Sequence, residues 1–462
     1  MRLDTADIGC RQARNARPRR QLRSLTLVAV LLLSACGGSE TAPENLTNPT
    51  GVAPNRAPLN ALLRGGVAFA AVSADESRAA EVGRDILQNG GNATDAAVAM
   101  YFAMAVTLPS AAGLGASGAC VLHNSKSRGA EAFVFAPIAA PGPIKGVSFT
   151  VPTGVRAMTL MHIRHGQLRW EHAVALAERM ARAGVPVSRA LSRDLQAGAS
   201  MLGSDGEARR IFGKGSGTAV TEGENWAQSD LAATLGVIRL RGGAEFFSGS
   251  FARLLSEQIA QMGGSLPLDT LRNSIPQSGP PAGQSHGGYR VYVAPPPMAG
   301  ASVLAGWNGQ PAPPATGAPT NSNGISGFAA IDAKGGAAAC SLSMGQLFGA
   351  RIVVPGTGIL LGALTADSTA ISPMVIGNPG NGEVMFAGAG GGSPNAAYAT
   401  GAVARAAIQD RKLVAAVLAA RGGQGGYVNA IACPDGIRSG GSTCQGGIDP
   451  AGSGLALLAT PR

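Results

Sequence analysis

Residues 90–99 read GGNATDAAVA, and this stretch joins two segments with helical patterning. Before it, Ser77 begins a run that carries apolar residues at helical spacing, and the two glycines end that run. After it, Asn92 or Thr94 provides the N-cap of a second helix, predicted over residues 95–106. The stretch therefore predicts a tight helix–turn–helix unit near the start of the folded part.

Strands and helices alternate outward from this unit. Further helices are predicted at 170–183, 230–241, 251–262 and from 393 toward 418. Strands are predicted at 66–72, 289–293, 327–332, 337–344 and 384–387, the last leading into a glycine-rich segment at 388–392. Strands in two clusters with helices around them indicate layered α and β structure.

Composition bounds the class of protein. The chain has 462 residues, of which 45% are hydrophobic and 14% charged, so it can bury a large core. Half of the net charge of +10 lies in the N-terminal leader and the rest is spread thinly, whereas nucleic-acid binding needs clustered Lys and Arg. No stretch reaches 18 apolar residues, so no membrane-spanning helix is expected.

The N-terminus has the pattern of an export signal. Arginines at 17–23 precede a short apolar run at 25–33, which ends in Leu-Ser-Ala before Cys36. We expect a lipoprotein signal peptide at 1–35, lipidation of Cys36 and a flexible tether at 36–62. An ordinary signal peptide with an incidental cysteine is the alternative. Glycine after Cys36 resembles Gram-negative sorting to the outer membrane, which predicts a periplasmic, lipid-anchored protein of the cell envelope.

The remaining cysteines and histidines suggest structure rather than metal chemistry. Cys433 and Cys444 lie in a Gly/Ser-rich tail and are expected to form a disulfide-closed loop in an oxidising compartment. Cys120 and Cys340 lie in apolar surroundings and are interpreted as two small buried side chains. The five histidines are scattered without a carboxylate cluster, so no metal site and no cofactor are expected.

Six stretches occur in the order found in the gamma-glutamyltransferase (glutathione hydrolase) family, which this chain resembles over about residues 65–418. They are 90–99, 228–235, 246–249, 263–271, 288–300 and 354–361, the last reading VPGTGILL. The resemblance implies an α+β fold: the N-terminal-nucleophile hydrolase four-layer αββα sandwich. It also implies a large-subunit-like part at 63–324 and a small-subunit-like part at 325–462. In that family, self-cleavage frees a Thr whose hydroxyl attacks a gamma-glutamyl amide.

The nucleophile position is altered. Aligning the family's cut site on the strand that ends at Asp332 places Ile325 at the attacking Thr, and Ile325 has no hydroxyl. Ser326 is the nearest substitute. One step along a strand turns a side chain to the opposite face, so Ser326 is expected to point away from the site.

Other parts of the family's site are partly retained. Ser341 and Ser343 stand at the positions that support the nucleophile, two apart and therefore on one face; small polar residues on a half-buried strand are the alternative. Gly391 and Gly392 match the paired glycines whose N–H groups form the oxyanion hole, or they form a plain turn.

The substrate clamp is mostly lost. The family's carboxylate-binding Arg falls at Phe133, which cannot make a bidentate bond to a carboxylate. Asp367 and Thr369 remain as candidate substrate ligands, with an exposed loop as the alternative for Asp367. The helical segment that precedes the cut site in the family is missing between 307 and 324, which shortens the sandwich.

Two functional hypotheses follow. The first is an exported lipoprotein of this fold with impaired catalysis, kept as a binding or scaffold protein. The second is an active, divergent hydrolase or transferase that uses Ser326 on glutathione or other gamma-glutamyl amides. In either case a small gamma-glutamyl or amino-acid-like ligand is the expected partner class, without nucleic acid.

Overall fold

Two antiparallel β-sheets lie at the centre of the fold, and segments from both sides of Ile325 contribute strands to each. The structure is a computed structural model, and it describes residues 69–200, 205–215, 217–314, 317–439 and 442–459. The predicted signal peptide, Cys36 and the tether lie outside these residues.

Seventeen strands are formed by the described residues. They are β1 Ala71–Ala74, β2 Ser117–Asn124, β3 Gly129–Phe135, β4 Val185–Pro186, β5 Asn225–Trp226, β6 Gln277–Gly279, β7 Ala282–His286, β8 Tyr289–Val293, β9 Ile325–Ile331, β10 Ala337–Ser343, β11 Val353–Val354, β12 Ile359–Leu360, β13 Met374–Gly377, β14 Val384–Gly391, β15 Tyr427–Ala432, β16 Gln445–Ile448 and β17 Leu455–Leu458. The first sheet has the order β17-β1-β9-β10-β2-β3-β6, and the second has the order β16-β15-β14-β13-β8-β7.

The α-helices of the described residues surround these sheets. They are α1 Ser77–Gln88, α2 Ala93–Thr107, α3 Pro109–Ala112, α4 Gly154–His165, α5 Trp170–Ala183, α6 Arg189–Ala197, α7 Gly206–Phe212, α8 Ser229–Arg241, α9 Ser250–Gln261, α10 Leu268–Asn273, α11 Gly300–Trp307, α12 Ala396–Ile408 and α13 Val414–Arg421.

The apolar contacts define four layers. One core lies between the first sheet and a helical layer that includes α1, α2, α5 and α8. A second core lies between the second sheet and α11, α12 and α13. A third, made largely of Ala and Val, fills the space between the sheets. The predicted αββα sandwich of the α+β class is therefore confirmed.

Helix α2 shows how residues 90–99 direct this packing. The Asn92 side chain accepts a hydrogen bond from the Asp95 N–H, and the Asp95 carboxylate accepts one from the Asn92 N–H. This reciprocal cap fixes where the helix begins. All fifteen residues of the helix are buried, and its many alanines allow close approach to α1, α5 and the first sheet.

Three element predictions differ from the structure. The first strand covers Ala71–Ala74, whereas the sequence predicts 66–72, of which 66–68 lie outside the described residues. Strand β14 continues through Gly391, because each glycine there pairs with a residue of β15. The long helix predicted from 393 toward 418 is two helices, and Arg411 between them has φ of 54°, which a continuing α-helix does not allow.

The cysteines also differ from expectation. Cys120 and Cys340 face each other across β2 and β10 and form a disulfide, so the interpretation of two unbonded buried side chains is wrong. Cys433 and Cys444 form the second disulfide. The segment beyond it is more than a loop, since β16 and β17 each extend one of the two sheets. Within the described ranges, no helix is both long enough and apolar enough to cross a membrane.

Candidate functional site

The register of β9 and β10 places the predicted nucleophile position beside the predicted supporting serines. Ile325 lies opposite Ser343 and Gly327 lies opposite Ser341, so these four residues share the face that points between the sheets. The Ser343 hydroxyl accepts a hydrogen bond from the Gly345 N–H at 2.9 Å. The Ser341 hydroxyl is buried and has no hydrogen-bond partner among the described residues. The serines are in place, but Ile325 offers them no hydroxyl.

Ile325 itself is part of an apolar cluster. Its side chain is 2% exposed and packs between the sheets. The other buried members of the cluster are Ala119, Val134, Ala294, Met298 and Ile371. A polar substrate group placed here would lose its hydration without gaining hydrogen bonds. The surroundings of Ile325 on this side are therefore those of a protein core.

Ser326 has a different environment. It lies opposite Leu342, is fully buried, and its hydroxyl donates to Asp75 Oδ2 at 3.1 Å. The same carboxylate accepts hydrogen bonds from the Gly327 N–H at 2.8 Å and from Asn429 Nδ2 at 2.7 Å. Burial raises the pKa of Asp75 to about 6, although these three hydrogen bonds oppose the shift. Asp75 is thus a buried carboxyl in contact with a hydroxyl.

The predicted oxyanion glycines contact the same strand. The Gly392 N–H donates to the Ile325 carbonyl at 3.0 Å. A Cβ on Gly391 would lie 2.3 Å from Asp75 Oδ2 and 2.9 Å from the Ile325 carbonyl, so only glycine fits. Helix α12 begins at Ala396 rather than directly after these residues, so its N-terminus lies farther from them than expected. The glycines serve as close packing partners of β9.

A small cavity adjoins Ile325. It measures about 10 Å³, which leaves room for at most one water molecule. The polar residues that line it are Asp75, Arg193, Asp194, Ser322, Tyr427 and Ser453. Asp194 accepts hydrogen bonds from the Ser322 N–H at 2.8 Å, from the Ser322 hydroxyl at 2.6 Å and from the Ser110 hydroxyl. Burial raises the pKa of Asp194.

Sequence reasoning missed these residues. Asp75 offered the clearest signal, since a carboxylate directly after a buried strand has little access to water. Arg193 and Asp194 lie on α6, which was not predicted as a helix. Tyr427 and Asn429 lie on β15, which was likewise not predicted. Their convergence depends on pairing between strands far apart in sequence.

The predicted substrate ligands are not drawn into this cavity. Asp367 is exposed and Thr369 is half-buried, both in a 3₁₀ turn at Ala366–Thr369. That turn follows Thr365, whose hydroxyl donates to the Gly345 carbonyl just beyond β10. Phe133 is fully buried on the helix-facing side of the first sheet, packed edge-on against His165. Among the described residues, neither Asp367 nor Thr369 lines the cavity.

A more open polar cleft of about 260 Å³ lies near the opposite end of β9. Its Asp332 carboxylate already accepts hydrogen bonds from the N–H groups of Ala93, Lys334 and Gly336. That carboxylate therefore stabilises the turn after β9. Among the described residues, no group of three or more His, Cys, Asp or Glu is arranged to hold a metal ion.

A sequence profile described as gamma-glutamyltranspeptidase matches residues 79–310, just over half of the chain. The chain belongs to the gamma-glutamyltranspeptidase family. Its similarity to the glutathione hydrolase proenzyme of Escherichia coli is 32% identity over 248 residues, covering 50% of this chain and 42% of that protein. The glutathione hydrolase proenzyme of Bacillus subtilis subsp. natto is 28% identical to it over 252 residues, which cover 50% of this chain and 43% of that protein.

This gamma-glutamyltranspeptidase-family chain therefore spans less than half the length of these curated relatives. The cephalosporin acylase from Bacillus halodurans shares its fold, with a TM-score of 0.69 at 19% identity, over 89% of this chain and 98% of that one. The profile match ends before Ile325. For the residues from β9 onward, the acylase structure shows a shared fold.

Proposed function

We propose that this chain is a gamma-glutamyltranspeptidase-family protein of the cell envelope, anchored through lipid on Cys36, in which gamma-glutamyl transfer is impaired. The observation that carries the proposal is the environment of Ile325. It has no hydroxyl, packs among apolar side chains and adjoins a cavity of about 10 Å³. Ligand sites for small molecules usually measure roughly 300 Å³ or more. A gamma-glutamyl group has neither a nucleophile nor room here.

The covalent route needs a hydroxyl at the attacking position. Without one, neither the self-cleavage nor the acyl-enzyme of the family can form at Ile325. Ser341 and Ser343 cannot replace it in self-cleavage, because both lie on β10, opposite Gly327 and Ile325, and neither follows the bond that the family cuts. What remains is a fold with the family's glycines and serines around an inert position. Such a protein serves best as a binding or scaffold protein, and a small gamma-glutamyl or amino-acid-like ligand would bind at this cavity only after the cavity opens.

One contact favours a second candidate, an active divergent hydrolase or transferase that uses Ser326. Its hydroxyl donates to Asp75, and the carbonyl it would attack, that of Ile325, accepts the Gly392 N–H. In this route the Ser326 oxygen bonds to the Ile325 carbonyl carbon while Asp75 takes the proton. Asp75 returns that proton to the Ser326 nitrogen as the C–N bond breaks, which leaves an ester and a free Ser326 amine, and water then hydrolyses the ester. The burial of Ser326 and its place opposite Leu342 disfavour this route.

Intact mass and an activity assay on the purified exported protein separate the two candidates. Reductant is essential, because the Cys120–Cys340 disulfide would hold the fragments together after a cut at the Ile325–Ser326 bond. We expect one uncut chain and no release of p-nitroaniline from gamma-glutamyl-p-nitroanilide above the Ser326→Ala background. Ser285→Ala, at an exposed serine of β7, is the matched control. A fragment beginning at Ser326, with turnover lost in Ser326→Ala and kept in Ser285→Ala, would establish the second candidate instead.

A further inference from the structure

The connection between β16 and β17 crosses from the second sheet to the first beside the Ile325 cavity. We call residues 449–454 the C-terminal strap. The Asp449 N–H donates to the Val428 carbonyl at 3.1 Å at one end, and the following strand β17 pairs with β1 at the other. Between these ends, Ser453 lines the cavity. The strap is therefore one wall of the space next to Ile325.

Arg193 of α6 binds the strap. Its Nη1 donates to the Ala451 carbonyl at 3.1 Å, and its guanidinium carbon lies 5.7 Å from the centre of the Tyr427 ring. Arg193 and Tyr427 also line the cavity. A hydrogen bond from a charged donor is stronger than a neutral one, so this contact is the main polar link between α6 and the strap.

The buried contact surface beneath the strap, which we call the seam, leaves several polar atoms of the described residues without hydrogen bonds. Four buried polar atoms at this seam have no hydrogen-bond partner among the described residues: Arg193 Nε, Arg421 Nε, Asp449 Oδ2 and Ser453 Oγ. Two of these atoms, Arg421 Nε and Asp449 Oδ2, lie 4.0 Å apart, at the limit of an ion pair. Burying unpaired polar atoms is costly, and the single water that the cavity can hold cannot reach all four. Opening the strap would hydrate them.

The strand that follows the strap lies at the edge of the first sheet, where its leucines pack against the neighbouring cores. Strand β17 has four residues, all only partly buried, and it forms the edge of the first sheet with β1 as its partner there. Short edge strands belong to the less stable parts of a protein. The strap is thus attached to an edge strand, which can separate without breaking the hydrogen bonds between the central strands of either sheet.

From these contacts we propose that the C-terminal strap is a displaceable cover that controls access to the cavity at Ile325. When it is closed, the cavity admits no solute larger than water. When β17 separates from β1, the strap moves off Arg193 and Tyr427, and small molecules reach Ile325. The inference rests on the proposed function only in taking this cavity as the family's site, and it holds whether or not catalysis survives there.

Alkylation of a cysteine at the cavity tests the cover. In the full-length exported protein, Ile325→Cys is treated with iodoacetamide, and modification at position 325 is followed by peptide mass. A second reporter, Val303→Cys, is buried in the helical layer of the second sheet and measures global unfolding. The strap is locked by the pair Ala71→Cys and Leu458→Cys, which face each other across β1 and β17. It is loosened by Arg193→Ala, with Arg189→Ala, exposed on the same helix, as the control.

We expect the lock to slow alkylation at position 325 by about tenfold or more and Arg193→Ala to speed it by about tenfold, as loss of a charged hydrogen bond predicts. The Val303→Cys reporter should change little in either case, and Arg189→Ala should match the parent. Equal alkylation rates at position 325 in the locked and unlocked proteins would overturn the proposal, even if Arg193→Ala fails to fold. Because the readout is not enzymatic, this result is independent of any gamma-glutamyl turnover.

Discussion

Asp75 and Asn429 join the two sheets across the interior: Asn429 Nδ2 donates to Asp75 Oδ1 at 2.7 Å and also to the Gly327 carbonyl at 3.0 Å. Asp75 follows β1 of the first sheet, and Asn429 lies on β15 of the second. No cation forms an ion pair with Asp75 among the described residues, and the nearby Asp449 adds repulsion. A buried carboxylate held only by neutral donors is costly to ionise.

This contact predicts how stability depends on pH. Because burial raises the pKa of Asp75 to about 6, its protonated form is favoured by folding. The stability this group contributes is therefore fully present below its unfolded pKa near 4 and is lost as the pH rises through 6. A rise in pKa from near 4 to about 6 corresponds to about 3 kcal/mol of free energy of unfolding. Between pH 4 and 7, the free energy of unfolding of Asp75→Asn should gain about that amount relative to the parent.

Urea unfolding of both proteins at several pH values measures the difference. Comparing the two removes the contributions of Glu76 and Asp194, whose pKa values burial also raises. Asp435→Asn serves as the control, since that exposed carboxylate is paired with Arg411 and its pKa is lowered. Parallel stability profiles for the parent and Asp75→Asn would show that Asp75 titrates normally.

Some of this fold follows from local pattern. The helix Trp170–Ala183 and the strand Tyr289–Val293 have the bounds predicted for them, because apolar spacing and the glycine at 184 mark them without help from the rest of the chain. Ser341 and Ser343 also lie on one face of β10, as the alternation of side chains along a strand predicts. Local sequence thus specified these elements and the faces of their side chains.

The contacts that shape the site could not be predicted in this way. Asp75 meets Asn429 over a separation of 354 residues, and Arg193 meets Ala451 over 258. Strands β2 and β3 escaped prediction because most of their residues are buried on both faces, which removes the alternation of apolar and polar residues. The disulfide between Cys120 and Cys340 depends on the same unseen strand pairing.

The two disulfides should differ in their effect on stability. By loop-closure entropy, a bond that closes a span of 220 residues contributes roughly 5 kcal/mol, and one that closes a span of 11 roughly 3 kcal/mol. Replacing Cys120 and Cys340 by Ala should therefore lower the free energy of unfolding more than replacing Cys433 and Cys444. Denaturant unfolding measures both. Peptide mapping without reductant that recovers either pair as free thiols would contradict the pairing.

The anchor makes a separate prediction. If Cys36 carries a thiol-linked diacylglycerol and an acylated amine, the attached chains give stable rather than marginal membrane binding. Cys36→Ser should then move the protein from the membrane fraction to the soluble fraction, while Cys10→Ser in the same leader should leave it with the membrane. Fractionation followed by immunoblotting measures both. Equal membrane recovery of Cys36→Ser and the parent would rule out the anchor.

The last prediction concerns Ile325→Thr, which returns a hydroxyl to the nucleophile position. The new hydroxyl would be buried among Ala119, Val134 and Met298, so the variant should lose about 1–3 kcal/mol in free energy of unfolding relative to Ile325→Val, which has the same shape without the oxygen. It should remain one chain and release no p-nitroaniline, because the cavity beside it still holds no more than a water molecule. The three measurements are intact mass under reducing conditions, urea unfolding and the gamma-glutamyl-p-nitroanilide assay. Cleavage before position 325 with turnover in Ile325→Thr but not in Ile325→Val would mean that one missing hydroxyl, rather than the closed site, separates this chain from an active enzyme.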